Sequence, residues 1–268
     1  MRRFASLTTA FALVLLARAV PAQESDAPPD GSPPEDEKSY SWGLGLGGIS
    51  KQQAYTGIDR ENIGIPLIYF ENRWVQLFGP WLDIKLPSLE WKDDNELSFG
   101  LRTQFFGTDG YEEDDAPILE GMDERKESLL VGAYAKWSNP IVDVSAEYLQ
   151  DVSGESEGSR IKFGVEKSWQ AGQHWRFTPS ATATWYDDKY VDYYYGVRPA
   201  EARIDRPSYV GDATMNFDLG LRTDYMFDQH QSVFVMLEYT ALGSEIDDSP
   251  LTDRSNETMV LLGYIYRF

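Results

Sequence analysis

The chain has 268 residues, no cysteine, a formal net charge of −20 and a pI near 4.4. These values exclude disulfides, thiolate metal sites and a cysteine-borne lipid anchor, and they argue against nucleic acid, whose phosphates need Lys and Arg. The mean hydropathy of −0.44 and the lack of any internal apolar run near the ~20 residues of a spanning helix exclude a helical membrane bundle.

At the amino end, Arg2 and Arg3 precede an apolar stretch that runs to Leu16, followed by A-R-A-V-P-A-Q. Val20 and Ala22 supply the small residues of a cleavage site. This layout predicts a secretory signal at 1–22, cut after Ala22. Residues 23–38 are rich in proline and acids and hold no aromatic residue, which predicts a disordered acidic tail in the periplasm. Residues 39–268 remain for one folded domain.

From Ser39 onward the chain alternates apolar and polar residues in segments bounded by turn-formers. The segments are 40–50, 63–71, 74–78, 81–89, 96–106, 128–138, 141–149, 160–170, 175–186, 213–227, 232–242 and 257–268. This predicts an all-β fold, a transmembrane up-and-down antiparallel β-barrel of about twelve strands, or ten if the pair flanking Gly79-Pro80 does not form. The composition agrees, since 14% of residues are aromatic, with 16 Tyr and 8 Trp for two interfacial girdles. Ile161, Phe163, Val165 and Trp169 alternate with Lys162, Glu166 and Ser168, and the same rhythm runs through 175–186 and 213–227. Short connections at 72–73, 92–95, 139–140, 171–174 and 228–231 alternate with long acidic ones at 51–62, 107–127, 151–159, 187–212 and 243–256. A barrel in the outer membrane puts short turns in the periplasm and long loops outside.

The final strand, E-T-M-V-L-L-G-Y-I-Y-R-F, sets Val260, Leu262, Tyr264, Tyr266 and Phe268 on one lipid-compatible face. Gly263, Tyr266 and Phe268 match the G-x-x-aromatic-x-aromatic ending that resembles the assembly signal of outer-membrane barrels. The expected surroundings are therefore outer-membrane lipid, lipopolysaccharide and the barrel assembly machinery.

Candidate chemistry is sparse. Arg102, Asp143, Glu147, Lys162, Glu166, Arg176, Asp218, Arg222, Asp224 and Glu238 fall on inward positions. They either pair and close a narrow barrel or line a small polar pore. His174 and His230 sit in short turns without a Ser or Asp partner that would make a catalytic base useful. The acidic clusters at 111–115, 187–188 and 245–248 lack the spacing of a defined calcium loop, so they read as solvated loops. No catalytic residue, metal or cofactor is assigned. Tyr193 to Tyr195 either fold inward as a lid or pack among the loops.

Four loop segments carry a more specific signal: L-E-G-M-D-E-R-K-E-S at 119–128, D-V-S-G-E-S-E-G at 151–158, Y-Y-Y-G-V-R-P-A-E-A at 193–202 and L-G-S-E-I-D-D-S-P-L-T-D-R at 242–254. Together with the terminal Y-I-Y-R-F they resemble the MltA-interacting protein family, MipA/OmpV, from about residue 40 to 268. That resemblance implies a non-enzymatic barrel in the Gram-negative outer membrane. It further implies a scaffold that joins a lytic transglycosylase to a peptidoglycan synthase in cell-wall remodelling. Other members are regarded as porin-like or adhesive, so a narrow channel for small polar solutes and a surface adhesin stand as alternatives. The short periplasmic turns leave the acidic tail and the barrel rim as the surfaces available to such partners.

Overall fold

The computed structural model describes residues 40–92, 94–105 and 109–268; the expected signal at 1–22 and tail at 23–38 lie outside them. Fourteen strand segments form one antiparallel sheet. They are β1 (Tyr40–Gln52), β2 (Glu61–Asn72), β3 (Val75–Phe78), β4 (Trp81–Lys85), β5 (Leu89–Trp91), β6 (Asn95–Gln104) and β7 (Leu130–Ser138). The second half supplies β8 (Asp143–Asp151), β9 (Ser159–Glu166), β10 (Trp169–Ala171), β11 (Trp175–Tyr186), β12 (Thr214–Met226), β13 (Gln231–Ala241) and β14 (Asn256–Arg267). β5 continues the line of β4, and β10 that of β9, each past a short break. The barrel therefore has twelve staves, and all twelve segments read from the sequence are present. Each strand pairs with its sequence neighbour, β14 returns to β1, and β9 pairs with β11, so the sheet has no free end.

The period-2 pattern becomes two surfaces. On the outside, Leu46, Leu219, Phe163 and Leu262 are 72%, 62%, 59% and 52% exposed. An apolar belt of this extent belongs in lipid rather than water. Aromatic rings bound it at the periplasmic edge, where Trp42 stacks on Phe268 at 3.9 Å and Trp175 on Phe177 at 6.0 Å.

Three of the periplasmic turns share one device. Asn72, Asn139 and Asp228 each use Oδ1 to accept backbone N–H groups two and three residues onward, at 2.7–3.1 Å. A short polar side chain caps the reversal in this way without a long loop. The outer connections are long except at β3–β4, where Gly79-Pro80 turns with Gly79 at φ +56°.

Inside, one side of the wall is apolar. Ile49, Ile65, Leu67, Phe234, Met236, Met259, Leu261 and Ile265 form one buried cluster contributed by β1, β2, β13 and β14. These strands are apolar on both faces, so alternation of polarity, the cue that separates lumen from lipid elsewhere, is weak in them. Gly263 is part of this packing: a Cβ there would lie 2.5 Å from Phe234 Cζ, so the ring occupies the space a side chain would take.

Candidate functional site

The outer loops close over the barrel. Helix α1 (Asp188–Tyr195) begins at Asp187, whose carboxylate accepts the Tyr190 N–H at 2.9 Å, and it buries Tyr190, Val191, Tyr194 and Tyr195. These residues join Tyr55, Tyr111, Leu119 and Met122, together with Ile246 of helix α2 (Ser244–Asp247), in a second buried cluster. Tyr55 stacks on Tyr195 at 5.3 Å and donates its hydroxyl to the Tyr194 carbonyl at 3.1 Å. Of the three tyrosines singled out in the sequence, Tyr194 and Tyr195 thus pack into a roof. Tyr193 packs partly buried against that cluster, and its hydroxyl accepts the Lys126 N–H at 2.9 Å.

Two arginines pin the roof. Arg125, 1% exposed, bonds both Glu201 oxygens through Nη2 at 3.0 and 2.9 Å and donates to the carbonyls of Tyr193 and Asp123. Arg206, also 1% exposed, donates to carbonyls of Glu201, Ile118 and Glu120. Burial pushes the Glu201 carboxyl upward. Hydrogen bonds from the Arg198 and Asp123 backbone and from Arg125 outweigh it and hold the group below the usual carboxylate range. Burial drives the phenols of Tyr55, Tyr190 and Tyr195 well above their ordinary value, so all three stay neutral donors.

Below the roof, ionic side chains fill the polar side of the barrel. Arg102 bonds Asp83 through two nitrogens at 2.6 and 2.7 Å and Glu147 at 2.7 Å, and Arg160 reaches Glu147 at 3.4 Å. Lys136 pairs with Asp143 at 3.3 Å and with Glu166. Arg222 clasps Asp224 at 2.7 Å and lies 4.2 Å over the Phe234 ring, and Arg176 sits opposite Asp224 in register. Asp218 accepts the Thr240 hydroxyl at 2.7 Å. Lys162 and Glu238 line a chamber of about 50 Å³ under Tyr190 and Tyr195. A second hollow of about 380 Å³ lies toward the periplasmic turns, among Glu71, Trp74, Lys85, Tyr134 and Lys136.

The sequence reading did not single out Lys51, Asp83, Lys136, Arg160 or Glu257. Arg160 shares its strand and parity with Lys162, so the period-2 rule could have found it; Asp83 and Lys136 lie in β4 and β7, where no inward residue had been named. Asp109, Arg125 and Glu201 sit in loops with no period; Arg125 and Glu201 fall inside two of the four family-like segments, but nothing there pairs one with the other. His174 and His230 stack on Tyr225 and Tyr266 at 5.6 and 6.0 Å. In the acidic segment near Tyr111, Asp115 accepts the Glu112 N–H and Glu113 the Gly121 N–H. Among the described residues no cluster of three or more His, Asp or Glu is arranged to hold a metal ion.

The family described as MltA-interacting protein MipA matches residues 44–268, from β1 to the end of β14. The chain belongs to this family. Outer membrane protein OmpV of Vibrio cholerae is 27% identical over 192 residues, covering 66% of this chain and 74% of OmpV. The MltA-interacting protein of Escherichia coli K12 is 24% identical over 246 residues, covering 87% and 91%. Among solved structures, the NanC porin aligns with a TM-score of 0.47 and 10% identity over 83% of this chain and 98% of that one. This MipA-family member is an outer-membrane β-barrel.

Proposed function

We propose that this barrel acts as a non-enzymatic scaffold in peptidoglycan remodelling, holding a lytic transglycosylase at its periplasmic face and bringing a peptidoglycan synthase to the same place. Tethering two enzymes raises the effective concentration of each for the other and requires no path through the membrane. The observation that carries the reading is the closed interior: a packed roof over a chamber of about 50 Å³, with ion pairs and an apolar cluster filling the section below. The name of the Escherichia coli relative supports the class of partner.

Purified lytic transglycosylase binding saturably to the barrel in nanodiscs, with no conductance in planar bilayers, is the expected outcome. The competing reading is a narrow channel for small polar solutes. It draws on the hollow of about 380 Å³ near the periplasmic turns, which would be its vestibule. Reproducible conductance steps that shift when Asp218 or Arg222 is neutralised, together with no transglycosylase binding, would replace the scaffold by the channel.

A further inference from the structure

The chamber under the roof is lined by acids and cations that stand mostly on opposite sides; Lys51 of β1 is placed among the acids, between Glu257 and Asp109. On one side stand Trp81 of β4 and Arg160 and Lys162 of β9. On the other stand Asp218 of β12, Glu238 of β13 and Glu257 of β14. Several of these are already committed. Glu257 faces Lys51 at 3.7 Å, Asp218 accepts from Thr240, and Arg160 spends Nη2 on Gln104 and Glu147.

What remains is complementary. Trp81 Nε1 and Arg160 Nε are buried donors without a hydrogen-bond partner on the protein, in side chains 7% and 5% exposed. Lys162 and Glu238 attract one another across the chamber, Lys162 also lies opposite Glu147 and Glu238 feels Lys51, but neither closes to ion-pair distance with any of the described residues. A buried N–H left unmatched costs free energy comparable to a lost hydrogen bond, so two of them beside an unpaired lysine mark a place prepared for an acceptor. An unpaired carboxylate across the same chamber marks a place prepared for a cation.

We propose that the chamber binds a small zwitterion of the α-amino acid class. Its carboxylate meets Trp81 Nε1, Arg160 Nε and Lys162, and its ammonium meets Glu238 and Asp218. The volume sets the size. At roughly 10–15 Å³ for each water-sized group, about 50 Å³ admits about four, which suits glycine and leaves no room for a long side chain. Tyr190 and Tyr195 close the chamber from above and donate their hydroxyls to Asp109 at 3.2 and 3.0 Å, so the solute enters when the roof lifts. This proposal goes beyond the scaffold reading and stands whether or not the barrel binds a murein enzyme.

The test is equilibrium dialysis of the purified barrel, refolded in detergent micelles with radiolabelled glycine present so that the roof closes over the solute. Acetate and methylamine, each carrying half of the charge pattern, serve as competitors. Saturable glycine binding is expected, with each competitor at least about tenfold weaker, as befits loss of one charge-assisted set of hydrogen bonds. Lys162→Met and Glu238→Gln should each weaken glycine by about tenfold or more. Trp81→Phe keeps the ring against Arg160 and deletes only the N–H, so it serves if a charge variant fails to refold; a several-fold loss is expected. Acetate competing as well as glycine would make this an anion site and overturn the proposal. So would methylamine competing as well, or the absence of saturable binding.

Discussion

Arg125 is the residue on which the roof turns. Replacing it with Met keeps an unbranched apolar stem and removes four hydrogen bonds, two of them charge-assisted to a Glu201 that is 6% exposed. Deleting one partner of a buried ion pair costs about 3–5 kcal/mol. Glu201 keeps its backbone donors, Asp123 N–H at 3.1 Å and Arg198 N–H at 3.0 Å. The loss therefore falls at the low end, about 3 kcal/mol, which opens the roof about a hundredfold more often at 1.36 kcal/mol per tenfold. Hydrogen exchange of the amides of α1, read by mass spectrometry on barrel in micelles, should accelerate by that factor in Arg125→Met. Arg198→Met is the control: its guanidinium approaches Glu201 no closer than 3.9 Å, and the backbone N–H that bonds Glu201 is kept. Its pair with Asp123 at 2.7 Å has both side chains more than half exposed, so the change should stay within about threefold.

The acid response has a defined sign. Because the folded Glu201 carboxyl sits below its ordinary value of 4.5, its contribution is complete above that pH and lost as pH falls through the folded value. Once the fall of the intrinsic exchange rate with pH is divided out, the protection of the α1 amides in wild type should drop on acidification below pH 4.5, and Arg125→Met should respond less, having lost part of that contribution already. Exchange in Arg125→Met within about threefold of wild type at neutral pH would refute the reasoning, leaving tyrosine packing and Arg206 as the fastenings of the roof.

Three further outcomes are expected. Arg102→Met leaves Asp83 and Glu147, 3% and 7% exposed, without their shared cation; urea unfolding of the refolded barrel should show a loss of about 3–5 kcal/mol, and Asp83→Asn added to it should recover part. Gly263→Val drives a side chain into the Phe234 ring, so folding yield in vesicles should fall with about 1–3 kcal/mol of overpacking, whereas Gly64→Val, whose Cβ would meet nothing within 4 Å, should be tolerated. Burial, and then the hydrogen bond to Glu245, push the Tyr209 phenol up to about 12. Because the raised group holds its proton more tightly when folded, its contribution is complete below pH 10 and declines between about 10 and 12; ultraviolet titration of wild type against Tyr209→Phe should show that late phenol, and a difference spectrum with its midpoint at pH 10 would disprove it.

How much was legible in the sequence depended on whether a residue sits in a periodic segment. The twelve strands, the aromatic outer face of β14 and the inward parity of residues such as Arg102, Glu147 and Lys162 all follow from a period of two. The hairpin around Gly79-Pro80 was open in the sequence because its strands are short, Val75–Phe78 and Trp81–Lys85. The apolar lining was not legible. The aromatics marked Val260, Leu262 and Tyr264 as the lipid face of β14, but nothing in the pattern said that the opposite face, with Met259, Leu261 and Ile265, would pack with β1, β2 and β13 into an apolar cluster. Nor was the roof: Arg125 and Glu201 are 76 residues apart and meet only because two outer loops fold over one opening.

The sequence alone determined a closed antiparallel barrel and its place in the outer membrane, because alternation, loop length and interfacial aromatics are local consequences of a strand crossing lipid. Only the tertiary structure decided that the barrel is roofed, that one side of its interior is apolar, and which charges are left facing one another across the chamber. Those outcomes depend on strand register and on contacts between distant loops. A single slip of register would exchange every pair, and no local pattern in the chain encodes it.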